Sequence, residues 1–87
     1  MNYKVIKFSA SWCGPCRTLE QRLKGFDKCE IVHYDVDDVD EELIDKYKVR
    51  NVPVTVLVDD EGNEVEKWVG LFDVKELESK LIELKNA

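Results

Sequence analysis

Two cysteines separated by two residues, Cys13-Gly14-Pro15-Cys16, are the part of this sequence best suited to chemistry. Residues three apart at a helix start lie on the same side, so the two sulfurs can approach closely. The first thiol then sits near the helix's unpaired N–H groups and positive dipole end. Both favour thiolate over thiol. A free cysteine titrates near ~8.5, and motifs of this spacing bring the value to roughly 7. The corresponding stabilisation is about 2 kcal/mol, at roughly 1.36 kcal/mol per unit. Cys13 is thereby the outer nucleophile, able to attack a disulfide and form a mixed disulfide, while Cys16 attacks Cys13 and releases the reduced product. Gly14 leaves room for an approaching chain, and Pro15 fixes the shape of the helix entrance. Trp12 offers a flat apolar wall beside the sulfur; its alternative place is the core.

A cysteine pair also serves as half of a metal site. Structural zinc takes four protein ligands, and the remainder would come from Cys29 and His33, whose Cys-x3-His spacing does not complete the usual pattern. The expectation is therefore no metal. Three cysteines cannot all pair internally, and Cys29 is left as the free thiol. It reads as an inert small core residue or a loop thiol, with a regulatory role as the alternative. His33 is the only histidine, either structural or a proton relay.

The elements that must position these residues follow from periodicity. Tyr3 to Ser9 is β-branched and aromatic and predicts a strand running into the cysteine loop. From Cys16 onward, Leu19, Leu23 and Phe26 recur at helical spacing, and Gly25 fits the helix end. Pro15 falls in the first turn, where a missing N–H costs nothing. Glu30 to Val36 is a second strand. Asp38 followed by Glu41 predicts a capping box for a second helix carrying Val39, Leu43, Ile44 and Tyr47. Val54 to Val58 is almost wholly apolar, as in a central strand buried on both faces. Asp60-Glu61-Gly62-Asn63 is a turn, and Glu64 to Val69 returns. Asp73 with Glu76 caps a last helix lined by Val74, Leu77, Leu81 and Leu84. The order β-α-β-α-β-β-α predicts a mixed sheet with helices on both faces and a right-handed first βαβ unit.

Composition bounds the rest. The chain has 87 residues, 44% of them hydrophobic, and a formal net charge of -6. It reads as a single domain over residues 1–87, and a monomer. An acidic domain with no basic stripe repels nucleic-acid backbones and anionic lipid, so its partners are expected to be proteins. No apolar run approaches the roughly 18 residues of a membrane span. Lys4 and Lys7 interrupt the first apolar run, unlike a secretory signal. The expected compartment is the cytoplasm, where structural disulfides are rare.

Trp12-Cys13-Gly14-Pro15-Cys16 after Phe8-Ser9-Ala10-Ser11 resembles the active-site segment of the thioredoxin family. The stretch from Lys46 to Pro53, the hairpin with Gly62 and the Val69-Gly70 pair resemble it as well, so the likeness covers nearly the whole chain. It implies a thioredoxin-like α/β fold, with Cys13 as nucleophile and Cys16 as resolving thiol. It implies a cis Val52–Pro53 bond facing the cysteines, with the Val52 backbone open to a client strand and Gly70 allowing close approach. It implies no bound cofactor beyond a reversible Cys13–Cys16 disulfide. The implied electron source is an NADPH-dependent flavin thioredoxin reductase, and the implied clients are disulfide-containing proteins.

The sequence departs from the family in several places. Longer thioredoxins begin with an extra strand and helix, whereas here the first strand leads directly into the cysteine loop. The expected sheet therefore has four strands, in order 2-1-3-4, close in size to glutaredoxin. The family's buried aspartate, six positions before its first active-site cysteine, helps proton transfer from the resolving thiol and falls on Lys7, so the resemblance implies proton transfer or electrostatic tuning by Lys7, His33 and Asp35. A buried ammonium must reach solvent, lose its proton or find an anion. His33 falls near the family's partner lysine, and Asp35 shares its strand face, so a Lys7–Asp35 pairing in reversed polarity is expected. Val54 and Asn51 stand where threonine and glycine are common, and the first helix lacks an internal proline. The functional expectation is a protein disulfide reductase of the thioredoxin type. The alternatives are a glutaredoxin-like, glutathione-linked reductase and a non-catalytic binding subunit on the same fold.

Overall fold

A computed structural model describes residues 2–86. Four strands and three helices alternate along the chain: β1 (Tyr3–Ser9), α1 (Gly14–Arg22), β2 (Glu30–Asp35), α2 (Glu41–Tyr47), β3 (Val54–Asp59), β4 (Glu64–Val69) and α3 (Val74–Lys85). The sheet order is β2-β1-β3-β4, as the expected 2-1-3-4 arrangement required. β2 runs parallel to β1, with Lys7 opposite His33 and Ser9 opposite Asp35. β3 is antiparallel to β1, placing Lys7 opposite Thr55 and Val5 opposite Leu57. β4 closes the other edge as the antiparallel return of a hairpin.

Alternation along the two central strands divides the core between the sheet faces. On one face Val5 and Leu57 pack with Leu19 and Leu23 of the α1 region and with Leu77 and Leu81 of α3. On the other, Ile6, Phe8, Val54, Val56 and Val58 pack with Tyr47 and Val49, and half-buried Leu43 and Ile44 of α2 lie against them. The continuous apolar run of β3 thus reflects burial on both sides.

α1 begins at Gly14 with Pro15 in its first turn, as expected, and Cys13 itself is the N-cap, its sulfur accepting the Cys16 N–H. The Asp38–Glu41 capping box does not start α2. The amides of Asp38 and Val39 both turn back onto the Asp35 carbonyl, and Asp40 caps the helix by accepting the Glu42 N–H at 3.1 Å. Val39 therefore precedes the helix and packs from the loop. β2 ends at Asp35, although the Val36 N–H still bonds the Ser9 carbonyl at 2.9 Å. Asp73 caps α3 as expected, accepting from Lys75. The hairpin turn is clasped by Asp59, whose carboxylate accepts the Glu61 and Asn63 N–H groups. Those backbone donors, Asn63 first, hold Asp59 below the usual carboxylate range. Gly62 supplies the left-handed residue at φ 84°.

α2 ends on Lys48 in the left-handed conformation, and the chain turns there toward Val52 and Pro53. Two side chains tie this corner to the hairpin. The buried Tyr47 hydroxyl donates to the Gly62 carbonyl at 2.7 Å. Lys67 of β4 donates to the carbonyls of Tyr47 at 2.9 Å and Lys48 at 3.2 Å, satisfying two of the helix's unpaired acceptors. Tyr47→Phe removes one of these ties without changing the ring. It should lower stability by about 1 kcal/mol, read as a lower denaturant midpoint at unchanged slope.

Candidate active site

The site is assembled where β1 ends and α1 begins. Cys13 and Cys16 are joined in a disulfide, with Cα atoms 5.3 Å apart. Both are nearly enclosed, at 4% and 3% exposure, and pack with Ala10, Val36 and Val52. The Cys13 N–H reaches back to the Ala10 carbonyl at 3.1 Å, which folds the loop tightly between strand and helix. The Cys16 N–H points at Cys13 Sγ at 3.1 Å. Pro15 in the first turn has no N–H to compete for that sulfur, and the first turn carries no acidic residue. On reduction, the Cys13 sulfur is left at a helix N-terminus facing a donor and the positive dipole end, the environment that favours a thiolate.

Val52 lies on the other side of the sulfur. Its carbonyl oxygen is 3.7 Å from Cys13 Sγ; a disulfide sulfur has no proton to donate, so this is a contact. The Val52–Pro53 bond is cis. The Pro53 carbonyl accepts the Gly70 N–H at 2.8 Å, and Gly70 adopts a φ of 84° that favours glycine. Val69 and Leu71, on either side of Gly70, are exposed, and Trp12 is 68% exposed. Trp12 is therefore not a core residue. Arg17, which the sequence did not single out, donates to the Ser11 carbonyl at 2.8 Å and pins the loop ahead of Trp12. Nothing local in the sequence foretells that bond, which requires the loop to fold back over α1.

The polar residues expected near the pair divide. Lys7 is fully enclosed at 1% exposure. Burial pushes its ammonium below the usual lysine value, and the Glu20 carboxylate on α1 partly opposes this. His33 is exposed on β2; partial desolvation, then the Lys7 charge, lowers its pKa. The expected Lys7–Asp35 pairing is replaced. Asp35 lies opposite Ser9, two positions along the ladder, and its carboxylate accepts the Asp37 N–H at 2.9 Å. The anion acting on Lys7 is Glu20. Cys29 is free and half-buried, packed at the edge of the α1/α3 core. Burial pushes its thiol up, with Lys85 partly opposing, which makes it a poor nucleophile. Among the described residues no three His, Cys, Asp or Glu side chains are grouped to hold a metal, and no helix is long and apolar enough to cross a membrane.

The thioredoxin-like domain family matches residues 2–85. The chain belongs to that family. Mitochondrial thioredoxin of Mus musculus is 40% identical over 85 residues, covering 92% of this chain and 50% of that protein. An H-type thioredoxin of Fagopyrum esculentum is 41% identical over 70 residues, covering 76% of this chain and 59% of its own. The chain thus spans about half the length of the curated relatives it matches. The N21Q mutant thioredoxin of Halobacterium salinarum NRC-1 superposes with a TM-score of 0.78 at 36% identity, covering 92% of this chain and 72% of that one. The thioredoxin-like fold, the disulfide-forming pair at the mouth of α1 and the family match all point to thiol–disulfide chemistry.

In reduced protein carrying Cys29→Ser, ultraviolet thiolate absorbance should reveal one thiol titrating below an ordinary cysteine. Cys16→Ser should keep that transition and Cys13→Ser should remove it. The opposite pattern would assign the activated sulfur to Cys16.

Proposed function

We propose that this chain, as the single domain of residues 1–87, is a protein dithiol–disulfide oxidoreductase working in the reducing direction. The observation that carries the reading is the Cys13 sulfur at the N-cap of α1, with the Cys16 N–H aimed at it and Cys16 bonded to it. In the reduced protein the Cys13 thiolate attacks a client disulfide. One client sulfur bonds to Cys13 and the other leaves as a thiolate. Cys16, once deprotonated, attacks Cys13 Sγ, re-forms the internal disulfide and expels the second client sulfur. Two electrons pass from the protein dithiol to the client, and no cofactor takes part.

The apolar surface of Trp12, Val52 and Val69, with the backbone at Pro53 and Gly70, suits an extended client segment. Electrons are proposed to come from an NADPH-dependent flavin thioredoxin reductase, by resemblance to the family. The cytoplasm is proposed as the compartment, because the reducing direction needs a reducing pool, and a monomer is proposed as the working form. The net charge of -6 favours protein partners over nucleic acid or anionic lipid.

Reduction of insulin by dithiothreitol, followed by turbidity, should be accelerated by the wild-type chain and not by Cys13→Ser. Cys16→Ser should accumulate mixed disulfides with clients. Recycling by NADPH and a thioredoxin reductase, but not by glutathione and its reductase, is the expected pattern. A redox potential near the about −120 mV of strong oxidants, rather than the roughly −270 mV of reducing carriers, would reverse the direction.

A further inference from the structure

A sheet that ends on an open strand carries a row of unpaired N–H and C=O groups along its free edge. This sheet has two such edges, β2 and β4, and they differ. β4 carries Glu64, Glu66 and Lys67, and its ladder with β3 shifts register between Leu57 and Val58. Charges and a bulge both discourage pairing at an edge. β2 lacks them along its middle. Its ladder with β1 is regular through Asp35. Its acidic residues, Glu30 and Asp35, stand at the two ends, and Ile31, Val32 and Tyr34 between them are only half-buried.

One bond fixes which groups of β2 are free. The Val36 N–H reaches the Ser9 carbonyl of β1. Main-chain groups alternate in direction along a strand, so Tyr34 and Val32 also turn toward β1, while Ile31, His33 and Asp35 turn outward. The Asp35 carbonyl is already taken by the N–H groups of Asp38 and Val39, each at 2.9 Å. Ile31 and His33 therefore present both a donor and an acceptor at the open edge.

We propose that the β2 edge is a self-association surface, on which β2 of a second copy of this chain adds antiparallel to make one continuous sheet. About a two-fold axis at Val32, Ile31 of each copy exchanges both hydrogen bonds with His33 of the other. Val32 meets Val32 of the second copy in the close, non-hydrogen-bonded position, a β-branched pair, and Glu30 stands beside Tyr34, so no like charges are opposed. Beyond the strand, Lys28 ahead of β2 comes beside the second copy's segment that continues into Asp37. β4 has no equivalent solution about its middle, because an axis at Glu66 or at Lys67 sets that charge against its own copy. Exchange at Cys13 and Cys16 needs one chain, so the monomer stays the working form and the pair is a reversible association of concentrated protein. A strand of 6 residues buries little against a standard interface, and a charge of -6 on each copy opposes contact. The chain is therefore monomeric near about 10 µM, with dimer building toward about 1 mM.

The test uses the oxidised chain carrying Cys29→Ser, which removes dimers linked through that thiol. Sedimentation equilibrium from about 10 µM to about 1 mM should show the mass rising from one chain toward two. Over the same range the Ile31 and His33 amides should shift in nitrogen–proton correlation spectra and exchange more slowly with solvent, while the exchange of the Tyr34 amide, which faces β1, stays as it was. Val32→Lys sets two ammonium groups face to face across the axis and should keep the chain monomeric. His33→Pro deletes one outward N–H at an edge position that tolerates proline, and should do the same. Circular dichroism and melting in dilute solution report whether each variant has folded. A mass of one chain throughout, a dimer that survives either folded substitution, or concentration-dependent shifts centred on Trp12, Val69 and Leu71 instead of β2 overturns the proposal. If Val32→Lys does not fold, His33→Pro decides, and if neither folds, the amide shifts of the unsubstituted edge decide.

Discussion

Everything at this site depends on one N–H placed against one sulfur. The Cys16 amide reaches Cys13 Sγ at 3.1 Å only because Cys13 is the N-cap of α1 and Cys16 the third helical residue. In most helices an oxygen of Ser, Thr, Asp or Asn occupies that geometry. Here a sulfur does, and the capping interaction becomes an electrostatic bias on a reactive group. Pro15 sharpens it by deleting a neighbouring donor, and the absence of carboxylates from the first turn keeps the dipole end unopposed. The same tight turn that caps the helix also brings the second sulfur into bonding reach. Activation and resolution are thus two consequences of one helix start.

That helix start has to be held, and the holding elements come from distant parts of the chain. Arg17 reaches back to Ser11 from within α1. Gly70, at the end of β4, anchors Pro53 through its N–H. Tyr47 and Lys67 lock the corner between α2 and the hairpin that feeds the Val52–Pro53 segment. Each is a point contact of the order of 1 kcal/mol, in a domain too small for a large core to set loop positions alone. Val52 therefore meets the sulfur because separate clasps agree, and substitutions remote from Cys13 are able to disturb it.

What could be read from the sequence was what depends on local pattern. The Cys-Gly-Pro-Cys spacing, the β-branched and aromatic content of Tyr3 to Ser9 and the unbroken apolar run of Val54 to Val58 each report a short-range constraint, and each matched the element formed. The errors lie where several residues offered the same local chemistry. Asp37, Asp38 and Asp40 are all competent caps, and the choice of Asp40 depended on Asp38 and Val39 turning back onto Asp35. Asp35 shares a strand face with His33, but pairing register sets it against Ser9, so alternation alone misassigned it as the partner of Lys7. Lys48 as a left-handed helix end, the Arg17 bond and the Tyr47–Gly62 tie need the assembled fold and have no sequence signal.

On the α1/α3 face, Val5 and Leu57 are followed, one step toward the cysteines, by Lys7 and Thr55. Two aliphatic residues there would pack at no electrostatic cost and would stabilise a domain of this size. The departure from apolar alternation falls on the two central strands and not at a solvated edge of the sheet. Edge lysines on β-sheets are explained by solubility and by blocking of edge pairing; a lysine on a central strand at 1% exposure is explained by neither. An amine and a hydroxyl thus occupy central-strand positions where packing alone favours aliphatic side chains, and local violations of packing rules concentrate at functional sites.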